Sequence, residues 1–205
     1  MYLRAFCIAV ILAAVTATSS SAATSTSQHF RFHGSGAYAD WFQSTDTGFG
    51  FAEIDVTQTR SGKELFVNQD RFTDGVGDVA YTVDTTHGFS FSVDSKGLTT
   101  ATLSGSNIPA RRCRYDVDGN QLGCSRVRIN LSAHWTGEGA IGKSTENDHF
   151  SSDGFKETFH SNGISRFATA TATIAGTSFT VADLDEGELF RSNTTDITIC
   201  HGTSC

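Results

Sequence analysis

Proline is almost missing from this chain: Pro109 is the one example in 205 residues. With 38% hydrophobic and 11% aromatic residues, that excludes a proline-rich, collagen-like or disordered chain. Basic residues are also short, 15 Lys and Arg against 22 Asp and Glu, for a formal charge of −7. Such a balance disfavours nonspecific attraction to nucleic acid, so no nucleic acid is expected as a partner. After the N-terminal region no run approaches the roughly 18 apolar residues of a spanning helix. The chain ends His-Gly-Thr-Ser-Cys, without an apolar tail, and no membrane anchor is expected.

One apolar run is present, from Phe6 to Val15, after a single positive charge at Arg4 and before the small residues Ser19 to Ala23. That order is the order of a secretory signal peptide. The expectation is a leader over residues 1–23, cleaved after Ala23, and a secreted, extracellular all-β domain over 24–205. Cysteine usage fits an oxidising compartment. With Cys7 lost in the leader, Cys113, Cys124, Cys200 and Cys205 remain. Asp118-Gly119 signals a two-residue type I′ turn. Centred there, the turn sets Val117 against Asn120, Asp116 against Gln121, and Cys113 against Cys124. A Cys113–Cys124 disulfide is the consequence, and Cys200–Cys205 would close a small C-terminal loop.

Almost every apolar stretch alternates. Val79, Tyr81 and Val83 do so before His87-Gly88, and Phe89, Phe91 and Val93 after it. Val127, Ile129 and Leu131 alternate with Arg126, Arg128 and Asn130, and Thr169 to Thr173 alternates Thr with Ala. Period-two runs parted by Gly-containing breaks predict antiparallel hairpins. The turn candidates are Ser61-Gly62, Lys96-Gly97, Asp118-Gly119 and Asn162-Gly163. Glu146 to Phe155 is polar and irregular, and reads as a long loop. The fold expected is an antiparallel β-sandwich of about ten strands, with a closed β-barrel as the alternative. Similar spacings of Gly, Thr and aromatic residues, offset by about a hundred positions, suggest two duplicated meanders, about 28–109 and 131–200.

The motifs that resemble chemistry dissolve on inspection. Gly137-Glu-Gly-Ala-Ile-Gly-Lys-Ser144 matches a phosphate-loop pattern, but the stretch after it, Thr145 to Gly154, makes a poor helix, and no βαβ rhythm surrounds it. Seven histidines show no metalloprotease spacing, although the suspected duplication relates His33 to His134. Asp116 to Asn120 and Asp183 to Glu188 lack the calcium-loop pattern. There is no Gly-x-Ser-x-Gly nucleophile elbow. Carboxylate pairs such as Glu138 with Asp40 are the type that glycoside hydrolysis uses, and their spacing in the fold decides whether they serve it. No catalytic, metal-binding or nucleotide-binding residue is assigned, and no cofactor is expected. Trp41 and Trp135 are read first as core.

Charge patterning is more pointed. Arg111, Arg112, Arg114, Arg126 and Arg128 fall within eighteen positions of an acidic chain. In the Asp118-Gly119 register, Arg111 faces Arg126, and Arg128 continues that side. Like charges set opposite destabilise a sheet unless solvent or an anion separates them. Arg111, Arg126 and Arg128 are therefore the candidate anion-binding residues. The expectation is a secreted, non-catalytic binding or structural domain for an unidentified extracellular ligand, an anion or surface polymer. A secreted hydrolase and a secreted inhibitor or interaction protein are the alternatives.

Overall fold

The computed structural model describes residues 26–152 and 155–201. The expected leader over residues 1–23 lies outside the described residues, as does Cys205, the second half of the expected Cys200–Cys205 link. Eleven strands run in chain order: β1 (Thr26–Thr45), β2 (Gly48–Thr59), β3 (Lys63–Thr73), β4 (Gly77–Thr85), β5 (Phe89–Val93), β6 (Thr100–Tyr115), β7 (Gln121–Gly137), β8 (Gly142–Ser152), β9 (Phe155–Ile174), β10 (Thr177–Phe179) and β11 (Leu184–His201). A 3-10 turn at Val181–Asp183 is the one helical element among the described residues.

All pairings are antiparallel. Eight strands hydrogen-bond in a ring, β11–β1–β2–β3–β4–β6–β7–β9 and back to β11. The ring does not close into a regular barrel, and the fold is sandwich-like. β5 continues along β6 where β4 stops, and β10 folds back on the end of β9.

Alternation explains the interior. Ala37, Ala39 and Trp41 of β1, Ala52, Ile54 and Val56 of β2, and Ala168, Ala170 and Ala172 of β9 all point inward and are buried. The threonines between the β9 alanines face outward, which is why Thr169–Thr173 suits a strand with one buried face. The alanines make room for two indoles. Trp135 pairs in register with Ala101 and Ala170, and its Nε1 donates to the Tyr38 carbonyl at 2.9 Å. Trp41 Nε1 donates to the Ala170 carbonyl at 3.2 Å. Each buried indole thus satisfies its N–H on a strand that its own strand does not pair with, Trp135 of β7 on β1 and Trp41 of β1 on β9.

Both ends of the interior are stopped. At one, the Asp94–Thr99 loop turns inward with Leu98 fully buried. Asp94 holds its shape by accepting Lys96 N, Gly97 N and Thr99 Oγ1. Arg191 and Arg166 donate to the Ser95 and Gly97 carbonyls at 3.0 and 3.2 Å. At the other, Phe179 packs on Trp41 with ring centroids 5.9 Å apart, and Gln43 Nε2 donates to Ser178 O and Asp183 Oδ2.

Two sequence expectations are corrected. The segment read as a loop from Glu146 to Phe155 is mostly strand: β8 pairs with β9 from Gly142↔Ser165 to Ser152↔Phe155. It belongs to a four-stranded extension, β8–β9–β11–β1, built where β1, β9 and β11 run past the ring. Its described side chains are exposed, so no buried face imposed an apolar alternation. Asn162-Gly163 is not a hairpin. It lies inside β9, opposite the place where β11 bulges between Ser192 and Thr194.

Candidate functional site on the charged outer face

The outer face of the ring carries two charged zones with an acidic cleft between them. The first is the β6–β7 hairpin. Its turn differs from the expected type I′ form: Gly119 N donates to Asp116 O, Asp116 N donates to Asn120 O, and of Asp118 and Gly119 only the glycine has positive φ, at 79°. The central residues are therefore Val117 and Asp118, one position earlier, with Gly119 as a left-handed bulge residue. A compensating irregularity sits on the return strand, because Tyr115 pairs with Gln121 but Arg114 with Gly123. Leu122 is the extra residue. The two one-residue offsets cancel, and Cys113 stands opposite Cys124 with a 2.02 Å S–S bond and Cα atoms 4.1 Å apart.

Beyond the disulfide, Arg111 stands opposite Arg126 and Arg128 opposite Pro109. All three arginines are exposed. Arg111 Nη2 donates to Cys124 Sγ at 3.2 Å, and Arg128 Nη1 to the Asn107 carbonyl at 2.8 Å. Among the described residues no carboxylate pairs with any of the three, and the Arg126 side chain makes no hydrogen bond. Arg111 and Arg126, with Cys124 and Ser125, line a shallow depression of about 300 Å³. Arg112 points the opposite way, its guanidinium 5.9 Å from the Tyr81 ring.

The second zone is acidic and spans β11, β1 and β2. Glu186, Asp40 and Glu53 form one cross-strand row, and Glu188, Tyr38 and Asp55 the next. The Asp40 carboxyl is pushed up to about 6, chiefly by burial and then by Asp185. Asp55 is also pushed up to about 6, by burial and then by Glu53 and Glu64. Burial raises Glu53 and Glu188 too, and raises the Tyr38 phenol with help from Asp40. Asp40 and Asp55 each keep a buried carboxylate oxygen without a hydrogen-bond partner. Negative charge here is crowded and unneutralised.

Between the zones lies a cleft of about 620 Å³ over β3 and β4, bounded by the Tyr115–Gly119 turn. Gly77, at φ 103°, lets β4 start beneath that turn, since a Cβ there would lie 2.2 Å from the Tyr115 carbonyl. Asp70 and Asp78 stand in the cleft beside Phe72. From Phe72 an aromatic ladder climbs outward: Phe49 stacks on it at 5.2 Å, and Phe42 on Phe49 at 5.8 Å. Sequence alternation put these three phenylalanines on one face of their strands, but only the cross-strand register lines them up.

The remaining candidates are not brought together. Trp41 and Trp135 are both fully buried, as core. His33 lies on β1, with its Nδ1 against the Asn193 carbonyl, and His134 on β7, which is not a neighbour of β1 in the ring. Glu138 and Asp40 share no described cleft. Gly137 to Ser144 passes from β7 into β8, strand to strand. Asp116 spends its carboxylate on Asp118 N and Asn120, which holds its pKa below the usual value. Among the described residues, no group of three or more His, Cys, Asp or Glu is placed to hold a metal ion. No family model matches the chain, and neither a curated protein nor a solved structure matches it.

Proposed function

We propose that this chain is a secreted, non-catalytic binding domain that takes an anionic ligand, such as a sulfated or carboxylated surface polymer, on the Arg111, Arg126 and Arg128 side of the β6–β7 hairpin. One observation carries the reading. Arg111 and Arg126 stand directly opposite each other, exposed, with no carboxylate of the chain to balance them among the described residues. Charge balance by the protein's own acids is the plain alternative for an arginine cluster, but the hairpin's own Asp116 spends its carboxylate on Asn120 and Asp118 N in the turn, and the acidic rows lie on β11, β1 and β2. Guanidinium forks match sulfate, phosphate and carboxylate geometry, and the shallow depression suits a chain-like ligand lying across the sheet. Secretion is supported by the leader-like residues 1–23 and by the Cys113–Cys124 disulfide.

The test is a titration of dextran sulfate and neutral dextran against wild type and a triple R111Q/R126Q/R128Q variant. Wild type is expected to bind the sulfated polymer alone, more weakly as salt rises, and the variant to lose at least about tenfold in affinity. Equal binding by both proteins, or none by either to any anionic polymer, overturns the proposal.

A further inference from the structure

The arginine zone leaves the acidic cleft and its aromatic ladder without a use. Phe42 and Phe49 are 52% and 41% exposed although each stacks on a neighbouring ring. Stacking partners this exposed on the open face of a sheet form a continuous apolar strip running into the cleft at Phe72. Val117, on the turn that bounds the cleft, adds another exposed apolar side chain at 52%. Exposed apolar strips of this kind mark contact surfaces.

The surroundings of the strip decide what would lie on it. In the register, Phe51 separates Phe42 from Asp70, and Phe72 pairs with Asp78. Asp70 and Asp78 both face the cleft, and Asp116 and Asp118 edge it from the turn. Asp78 keeps a buried carboxylate oxygen without a hydrogen-bond partner. No lysine or arginine lines the cleft. An anionic or purely apolar partner would meet repulsion or leave these carboxylates desolvated without compensation. A neutral sugar chain would stack on the rings but leave the charge unanswered. A partner with apolar side chains for the ladder and cationic ones for Asp70 and Asp78 satisfies both, and its cations can also sit over the phenylalanine faces.

We propose that the outer face of β1 to β4 docks a basic, amphipathic peptide segment of another protein, its apolar side chains along Phe42, Phe49 and Phe72 and its lysine or arginine groups in the Asp70–Asp78 cleft. This site is separate from the arginine side of the hairpin and does not depend on the reading proposed for it.

The experiment uses the purified chain and three probes: an acetylated peptide of about twelve residues alternating Lys with Leu and Phe, the same peptide with Glu for Lys, and a neutral cello-oligosaccharide. Binding is read by titration calorimetry and by amide chemical shifts. The basic peptide is expected to bind and to perturb residues of β2 to β4. D70N/D78N and F42S/F49S are each expected to weaken it at least about tenfold, while R111Q/R126Q leaves it unchanged. Phe42 and Phe49 are exposed, and D70N/D78N keeps the side-chain shape, so each variant is first checked for a wild-type melt and an intact disulfide. Should either pair unfold, the single F42S or D70N variant takes its place. Equal or better binding of the acidic peptide or of the oligosaccharide, unchanged binding of the basic peptide by both cleft and ladder variants, or no binding of the basic peptide overturns the proposal.

Discussion

Carboxylates on β11, β1 and β2 and arginines on β6 and β7 face the same problem, like charges set side by side on one sheet, and they meet it differently. The acids are half-buried and crowd one another, and Asp40 and Asp55 respond by holding their protons up to about pH 6. A carboxyl group can discard its charge. A guanidinium cannot at any pH a protein survives, so Arg111, Arg126 and Arg128 stay in solvent, where water or a ligand must do the screening. A guanidinium that is part-buried needs fixed acceptors instead, as Arg166 and Arg191 find in the Gly97 and Ser95 carbonyls. That difference makes the acidic zone sensitive to pH and the arginine zone sensitive to salt.

The largest effect is expected from removing what holds the arginine strands together. C113A/C124A should cost about 3 kcal/mol, read as a lower denaturant midpoint, because the bridge closes β6 onto β7 beside a repelling pair. If the loss is much larger at low salt than at high salt, the bridge is opposing that repulsion. If salt makes no difference, the arginines already avoid each other through solvent.

Next comes the acidic zone. Asp55 titrates near 6 in the folded chain and near its ordinary 3.8 when unfolded. Between those values the folded state binds more protons, so stability falls as pH rises through the window and is flat above it. Asp40 acts in the same direction. Asp94, Asp116 and Asp183, held low by hydrogen bonds, lose their contribution only below the ordinary aspartate value and do not mask the effect. Thermal melts should therefore show the protein a few degrees more stable at pH 4.5 than at pH 7. D55N should gain about 2 kcal/mol at pH 7 and close to nothing near pH 4. A wild type that loses stability steadily on acidification from pH 7 would contradict the assignment.

The smallest effect sharpens the other side. R126Q removes one member of the facing pair and should raise stability by less than about 1 kcal/mol, the more so at low salt, since both groups are exposed. A clear loss of stability on R126Q would mean that Arg126 has a stabilising partner.

How much of this is legible in the sequence depends on which face a residue occupies. Buried faces write themselves into the chain: Ile54 and Val56, Val83, Ile129 and Leu131 all alternate and all point inward. The exposed extension does not. β8 carries no buried apolar row, so its polar residues read as a loop. A turn placed one residue too late still sets Cys113 against Cys124, and only because Leu122 is extruded on the return strand. Bulges of that kind carry no clear signature in composition. The arginine cluster is visible because five basic residues stand close together in the chain. The Phe42–Phe49–Phe72 ladder is not, because its three members come from three strands and meet only through register.

The pairing of β1 with β11 makes one seam of the ring depend on contacts between distant parts of the chain. The first described strand finds its ring neighbour in the last, from Thr26 against His201 to Trp41 against Leu184. Until the C-terminal strand is available, β1 has only β2 beside it, the gap between β9 and β1 stays unfilled, and the apolar side chains facing that gap lack a cover. Contacts so distant along the chain are slow to form, because the entropy of closing the intervening loop is lost before the strand pairing returns anything. The seam between β1 and β11 is therefore expected to close last. A chain cut short before β11 is expected to leave the edges of β1 and β9 free to pair with other chains, read as concentration-dependent association in size-exclusion chromatography.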